Sequence, residues 1–279
     1  MRFFLSVVFA FFTSVCFCAE IIDGDGRVLQ ISENPRIVPI TPVVAEIIFE
    51  LGAEKNLVVL PSFVDNRGKQ LDVIGSAYGL DWERIIKLSP DVVISSFIQD
   101  KTIQKKCEQF GIKFVYMHKE GLQNIPKDIR LLGKICGRQQ RAEELATNFE
   151  REISFVSIDK KIPAFFLMAT VAAGKGSYIS DIMKLCGFEN CADKTGATWP
   201  VLAREFILKE NPEALFVAYF SEFQKKTMSE FLHTDSAWKN VNAVKKSKIY
   251  FIPISDIILP DTRVLRAIKT MRNAKKDFQ

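Results

Sequence analysis

The sequence predicts an α/β protein: two similar parallel-sheet lobes joined by one long linking helix, with a ligand cleft between the lobes. Three observations carry this. Strand-like and helix-like runs alternate through both halves of the 279 residues, an order that needs parallel pairing with crossover helices. The stretch ERIIKLSPDVVI, residues 83–94, returns in blurred form as EFILKENPEALF, residues 205–216. A single long amphipathic stretch, residues 138–158, stands between the halves.

From the N-terminus, Met1-Arg2 precedes FFLSVVFAFFTSV, an apolar run too short to cross a bilayer stably, and small residues follow before Ala19. Residues 1–18 are read as a cleavable signal peptide, which makes the protein periplasmic. A lipid anchor is disfavoured because Val15 precedes Cys16 and Phe17 precedes Cys18, where a small residue is needed. An N-terminal lobe is expected over 19–137. In it RIVPI (36–40) reads as a strand, and AEIIFELG (45–52) has helical spacing closed by Gly52. NLVVL (56–60) then reads as a strand, ERIIKL as a helix, DVVISS as a strand, 103–110 as a helix and KFVYM as a strand.

The linking helix is expected over 138–158, with an apolar stripe at Ala142, Leu145, Ala146, Phe149, Ile153 and Val156 and a break from the preceding helix at Gly133 and Gly137. At 1.5 Å per residue it would span roughly 30 Å and act as a strut. The C-terminal lobe, 159–279, repeats the alternation: AFFLMA, helix SDIMKLCG, helix REFILKEN, strand ALFVAY, helix MSEFLH, strand KIYFIP and a last helix from Thr262. AEIIFELG and SDIMKLCG form a second, weaker echo that ends on a capping glycine in each copy.

Composition fits a folded globular protein. At 48% hydrophobic and 25% charged the chain can bury a large core. Its net charge of +5 is spread over separated lysine pairs, so no nucleic-acid partner is expected. Four cysteines lie beyond Cys18: Cys107, Cys136, Cys186 and Cys191. The last two bracket a short turn where pairing and free thiols are both open readings.

In open α/β sheets the cleft is lined by loops at the carboxyl ends of the strands. Those loops hold Thr41, Phe63, Tyr78, Phe97, Lys175, Trp199, Tyr219, Phe220 and Asp256, the expected ligand-binding set. Its aromatics could stack on a flat ligand, and Lys175 could meet an acidic substituent.

The ordered set RIVPITPVVAEIIFELGA, GLDWERIIKLSPDVVI, GKGSYISDIMKLCGFEN, WPVLAREFILKENPEALFV and KIYFIP, with one helix at its middle, resembles the periplasmic substrate-binding proteins of ABC importers for vitamin B12, ferric siderophores and haem. The resemblance spans roughly residues 36–275 and lies nearest the vitamin B12 branch. It implies a monomer that captures a metal chelate as cargo, holds no cofactor of its own and hands the chelate to an ABC permease dimer in the inner membrane.

It further implies that Glu83 and Glu205 dock to permease arginines, one on each lobe; a role for each at its helix N-terminus is the alternative. Trp199 matches the family's cleft tryptophan, whereas Ala77 stands where the vitamin B12 binder carries another. Only Arg67, Arg204 and Arg263 are candidates to neutralise a catecholate siderophore, and Tyr78 or Tyr219 could ligate haem iron.

Two other classes compete. A bare transition-metal site needs several converging ligands, but the chain holds only His118 and His233, with no carboxylate at supporting spacing, and both read as isolated surface or capping residues. An exported enzyme such as a chelatase has no support either: GKGS (174–177) lacks the phosphate-loop spacing, and there is no GxSxG elbow.

Overall fold

In the computed structural model, residues 18–76, 79–96, 101–154 and 161–278 are described. The chain opens with an antiparallel hairpin, β1 (Cys18–Ile22) and β2 (Val28–Ser32). The first lobe follows as β3 (Ile37–Pro39), α1 (Pro42–Glu50), the two-residue strands β4 (Gly75–Ser76) and β5 (Gly79–Leu80), α2 (Trp82–Lys87), β6 (Val92–Ser95), α3 (Lys101–Gln109) and β7 (Lys113–Tyr116). Helices α4 (Ile125–Ile135) and α5 (Gln139–Ile153) lead onward. The second lobe comprises β8 (Ile162–Met168), β9 (Val171–Ala172), α6 (Tyr178–Leu185), β10 (Phe188–Asn190), α7 (Arg204–Glu210), β11 (Ala214–Tyr219), α8 (Glu222–Thr234), α9 (Asn242–Lys245), β12 (Ile249–Pro253) and α10 (Val264–Lys275).

The sheets repeat each other. Strand order β3-β6-β7 in the first lobe is parallel throughout, and β8-β11-β12 in the second has the same sense. The second sheet adds β10 in parallel outside β8 and the short antiparallel β9. The echo is kept in the register as well. Val92 opens β6 opposite Ile37, and its counterpart Ala214 opens β11 opposite Ala164.

Alternation along each strand divides the core. Ile37, Val92 and Ile94 face one way, with Phe166, Phe216 and Ile252 of the second sheet, in a single apolar cluster that runs through both lobes. Their neighbours Val38 and Val93 face a separate core under α2 and α3, and Phe165, Leu215 and Val217 face another under α7 and α8. Each sheet is therefore a middle layer, and the lobes share the core between them. Cross-lobe polar contacts add to it: Thr262 donates to Glu50 at 2.7 Å, the Leu122 amide to Asp181 at 3.4 Å, and the Tyr178 amide to Glu120 at 3.4 Å.

Three expectations need correction, and one open reading is settled. The linking helix is shorter than its polar–apolar pattern: α5 covers 15 residues, about 22 Å at 1.5 Å each, and Val156 lies outside the described residues. Its stripe of Ala142, Ala146 and Phe149 is buried, chiefly against α4. Gly133 does not break the chain before α5. It lies inside α4, where an added Cβ would come within 2.1 Å of the Ala142 Cβ, so glycine lets the two helices meet closely.

NLVVL forms no strand ladder. Single parallel bridges join Leu57 to Ile37 and Leu60 to Val73, because a 3-10 turn at Glu54–Asn56 and Pro61 leave too little extended chain. Of the two readings left open for Cys186 and Cys191, free thiols is the one found. Cys186 is buried in the shared core and Cys191 in the core on the opposite face of the sheet, so the sheet separates them. Burial pushes the thiols up to about 12 and about 11 respectively.

Candidate functional site

The shared core ends in a cavity of about 200 Å³ at the carboxyl ends of the strands. One wall comes from the first lobe: Thr41 and Val43 at the start of α1, Ser96 after β6, and Met117 to Gly121 after β7. The other comes from the second lobe and includes Met168 at the end of β8, Tyr178 at the start of α6, Trp199 and the Ile258–Pro260 turn. Parallel sheets put these loops at one end, where Ile125 and Asp128 of α4 join them, so residues from eight separate segments meet there.

Local chemistry fixes several of these side chains. Thr41 caps α1 ahead of Pro42, is buried, and its hydroxyl has no hydrogen-bond partner among the described residues. A buried hydroxyl without a partner is costly, so it is a ready donor or acceptor for a polar group entering the cavity. The Tyr178 hydroxyl donates to the Ile257 carbonyl, which ties α6 to the turn beside Ile258. Burial pushes the Tyr178 phenol well above its ordinary value, so it stays neutral. Trp199 is 39% exposed, an indole held at the cavity wall with part of its surface free.

His118, read as an isolated residue, is not one. Its Nδ1 lies 2.7 Å from Asp128 Oδ1, and the same oxygen accepts its backbone N–H at 2.8 Å. Asp128 is buried in α4, and desolvation raises its carboxyl above the usual value of 3.8 while the bonds to His118 pull it down. The pair was missed because the partners sit on different elements, ten residues apart, a separation that matches neither helix nor strand periodicity.

Of the residues expected to bind ligand, Thr41 and Trp199 line this cavity. Tyr78 and Phe97 lie outside the described residues. The remaining five are not on its wall. Phe63 is 94% exposed in a turn with φ 69°. Lys175 is exposed at the tip of its turn, and Phe220, 65% exposed, stands beyond the end of β11. The Tyr219 ring lies edge-on to Phe251 with Lys225 5.2 Å from its centroid, and Asp256 is paired with Arg266 at 2.7 Å. Loop residues at the right end of a sheet can thus turn outward, a choice that the strand pattern does not record.

The three arginines are engaged within the protein: Arg67 with Glu46 and the Phe49 ring, Arg263 with Asp261 and Glu46, Arg204 with Asp235 and Ser236. Arg204 borders a separate, larger cavity of about 550 Å³ in the second lobe, walled by Leu167, Met228, Phe231 and Trp238. That cavity receives nothing from the first lobe, and no unpartnered buried polar side chain among the described residues lines it.

Glu83 and Glu205 occupy the first turns of α2 and α7, both exposed, and neither forms an ion pair among the described residues. Their helices do not depend on them for capping at α2, where Asp81 accepts the Arg84 N–H. No helix among the described residues is long and apolar enough to cross a membrane.

Comparison with known proteins agrees with this geometry. A family model described as periplasmic binding protein matches residues 37–255. A vitamin B12-binding protein of Vibrio campbellii is 25% identical over 266 residues, covering 91% of this chain and 94% of that protein. Among solved structures, a periplasmic haem-binding protein from Roseiflexus is 22% identical with TM-score 0.70, covering 86% of this chain and 98% of that one. An ABC-type Fe3+-hydroxamate transport protein from Saccharomonospora viridis is 16% identical with TM-score 0.71, covering 92% and 98%. At these identities the structural likeness establishes the two-lobed α/β fold.

Proposed function

The chain belongs to the periplasmic binding protein family, and from that premise we propose that it captures a metal chelate, such as a corrinoid, haem or a ferric siderophore, between its lobes and delivers it to an ABC permease. One observation carries the reading: the cavity at the strand ends draws a buried, unpartnered hydroxyl from one lobe and a half-free indole from the other. Aromatic surface beside a few polar groups suits a bulky chelate with apolar faces and polar edges. Binding is the whole chemistry in this reading. Relatives in the family are binding proteins of transporters, and the family works outside the cytoplasm, which is also where a signal peptide over residues 1–18 would send the chain.

Delivery is read from the repeated segment. Glu83 and Glu205 stand at matching places in the two lobes, exposed and free of ion pairs among the described residues, on a body stiffened by a common core. Two carboxylates so placed give two-point registration on a permease dimer that presents cations.

The test is charge reversal at both, Glu83→Lys with Glu205→Lys. Ligand affinity and melting temperature should stay at wild-type values, and uptake through the chain's own reconstituted permease should nearly vanish, since like charges across an interface cost several kcal/mol. Normal uptake from the folded double variant would sink the docking role and leave each glutamate a helix-terminus charge worth about 0.3–1 kcal/mol.

A further inference from the structure

A second cavity of about 350 Å³, within the range of small-molecule sites, adjoins the interlobe one. The two share Ser96, Met117, His118, Lys119 and Glu120, so His118 stands on the wall common to both. Its imidazole is half-buried. It is also held at two points, since Asp128 Oδ1 takes both the backbone N–H and the Nδ1 hydrogen. A carboxylate at Nδ1 selects the tautomer with the proton there and leaves the lone pair on Nε2. Among the described residues, Asp128 engages the backbone N–H and Nδ1 of His118, and no hydrogen bond to Nε2 is formed.

An imidazole oriented by a carboxylate is the arrangement that prepares histidine to bind a metal. Here the protein offers one such ligand at the cavity, and no group of three or more His, Cys, Asp or Glu that could hold an ion occurs among the described residues. A single nitrogen suits a metal whose other positions are already filled by the chelate.

We propose that His118, oriented by Asp128, binds the metal of the cargo axially through Nε2, so the cargo is a macrocyclic chelate with an exchangeable axial position rather than a coordinatively saturated siderophore. The step is ligand exchange: the Nε2 lone pair forms the bond to the metal as an axial water leaves to solvent, with no change of oxidation state and no proton transfer. Trp199 on the opposite wall supplies aromatic surface for the macrocycle. This assignment rests on the carrier reading of the cleft.

The experiment titrates the protein with haemin, aquocobalamin and, as a saturated chelate, ferrioxamine B, and reads visible absorption for all three and electron paramagnetic resonance for the two ferric chelates. Haemin should take on a nitrogen-ligated spectrum, or aquocobalamin the band shift of an axial water replaced by a second nitrogen, and the one that does so names the macrocycle. His118→Ala should lose that spectrum and weaken binding by more than about tenfold, and free imidazole should restore the band. Asp128 would retain the backbone N–H as a partner in that variant, and a melting curve checks its fold; His118→Gln, which keeps more volume, should lose the band in the same way.

Asp128→Asn tests the positioning role: nitrogen ligation should persist while affinity falls about ten- to a hundredfold. An unchanged spectrum in folded His118→Ala or His118→Gln overturns the axial assignment. So does binding of ferrioxamine B alone, which would leave the carrier reading standing. Binding of none of the three overturns both.

Discussion

Ser89 and Asn211 hold the same left-handed backbone, φ 45° and 40°, at the same place in the two lobes, each immediately before a proline. Each ends the helix that begins near Glu83 or Glu205 and starts the turn into the central strand of its sheet. The equivalence continues past the turn. The Asp91 amide donates to the Arg36 carbonyl at 3.0 Å, and the Glu213 amide to Pro163 at 2.8 Å, so each copy anchors its turn to the neighbouring first strand. The repeat in the sequence is therefore a repeat of backbone geometry as well as of side chains.

A non-glycine residue in this region costs about 1–2 kcal/mol, less for asparagine. Ser89→Gly should therefore stabilise the protein, by about 0.5–1 kcal/mol after the added unfolded-state entropy of glycine. Asn211→Gly should not, because the Asn211 Oδ1 accepts the Asn242 N–H at 2.8 Å and a hydrogen bond is worth about 1 kcal/mol. Denaturant midpoints compare the two. A loss of stability in Ser89→Gly would mean that the turn is not strained there.

Glu50 makes stability depend on pH. Desolvation raises its carboxyl above the usual 4.5, with Asp261 and Glu46 adding to the rise and the Thr262 hydroxyl and Arg263 opposing it. Between the ordinary and the folded value the folded protein holds more protons than the unfolded chain, so stability falls as pH rises through that window. Glu50→Gln keeps an acceptor for Thr262 and removes the charge. It should flatten the fall and melt higher than wild type at pH 7. A wild-type pH slope in the variant would show that the carboxylate is not paying for its burial.

Lobe movement should be small. The shared core and the Glu50–Thr262, Asp181–Leu122 and Glu120–Tyr178 contacts would have to break for wide opening. Scattering curves with and without saturating ligand should superimpose, and a change of several ångströms in the radius of gyration would contradict the shared core.

Periodicity made most of the fold legible. Strand runs such as ALFVAY and the helical spacing of SDIMKLCG depend on local side-chain order, and both elements stand where that order puts them. What it missed depends on distant partners. The opening hairpin is held in part by Gly24 against the Met117 backbone, close enough that a Cβ would meet the carbonyl at 2.1 Å. NLVVL has strand composition but lacks a neighbour along its whole length. At the site, Thr41 was legible because it stands in the loop between the carboxyl end of β3 and the start of α1. The outward turn of Phe63, Lys175 and Phe220, and the pairing of His118 with Asp128, arise from loop paths and helix docking, which local order does not encode.

The central claim, capture of a metal chelate between the lobes, is tested most directly by native mass spectrometry of the mature protein against haemin, cyanocobalamin and a ferric hydroxamate, in wild type and Trp199→Ala. The account predicts a one-to-one complex of wild type with at least one of these. Trp199→Ala should stay folded but lose about 2 kcal/mol or more of binding, as an aromatic anchor in a concave site does. Wild-type protein that binds none of the chelates, or a complex that Trp199→Ala leaves undiminished, would contradict it.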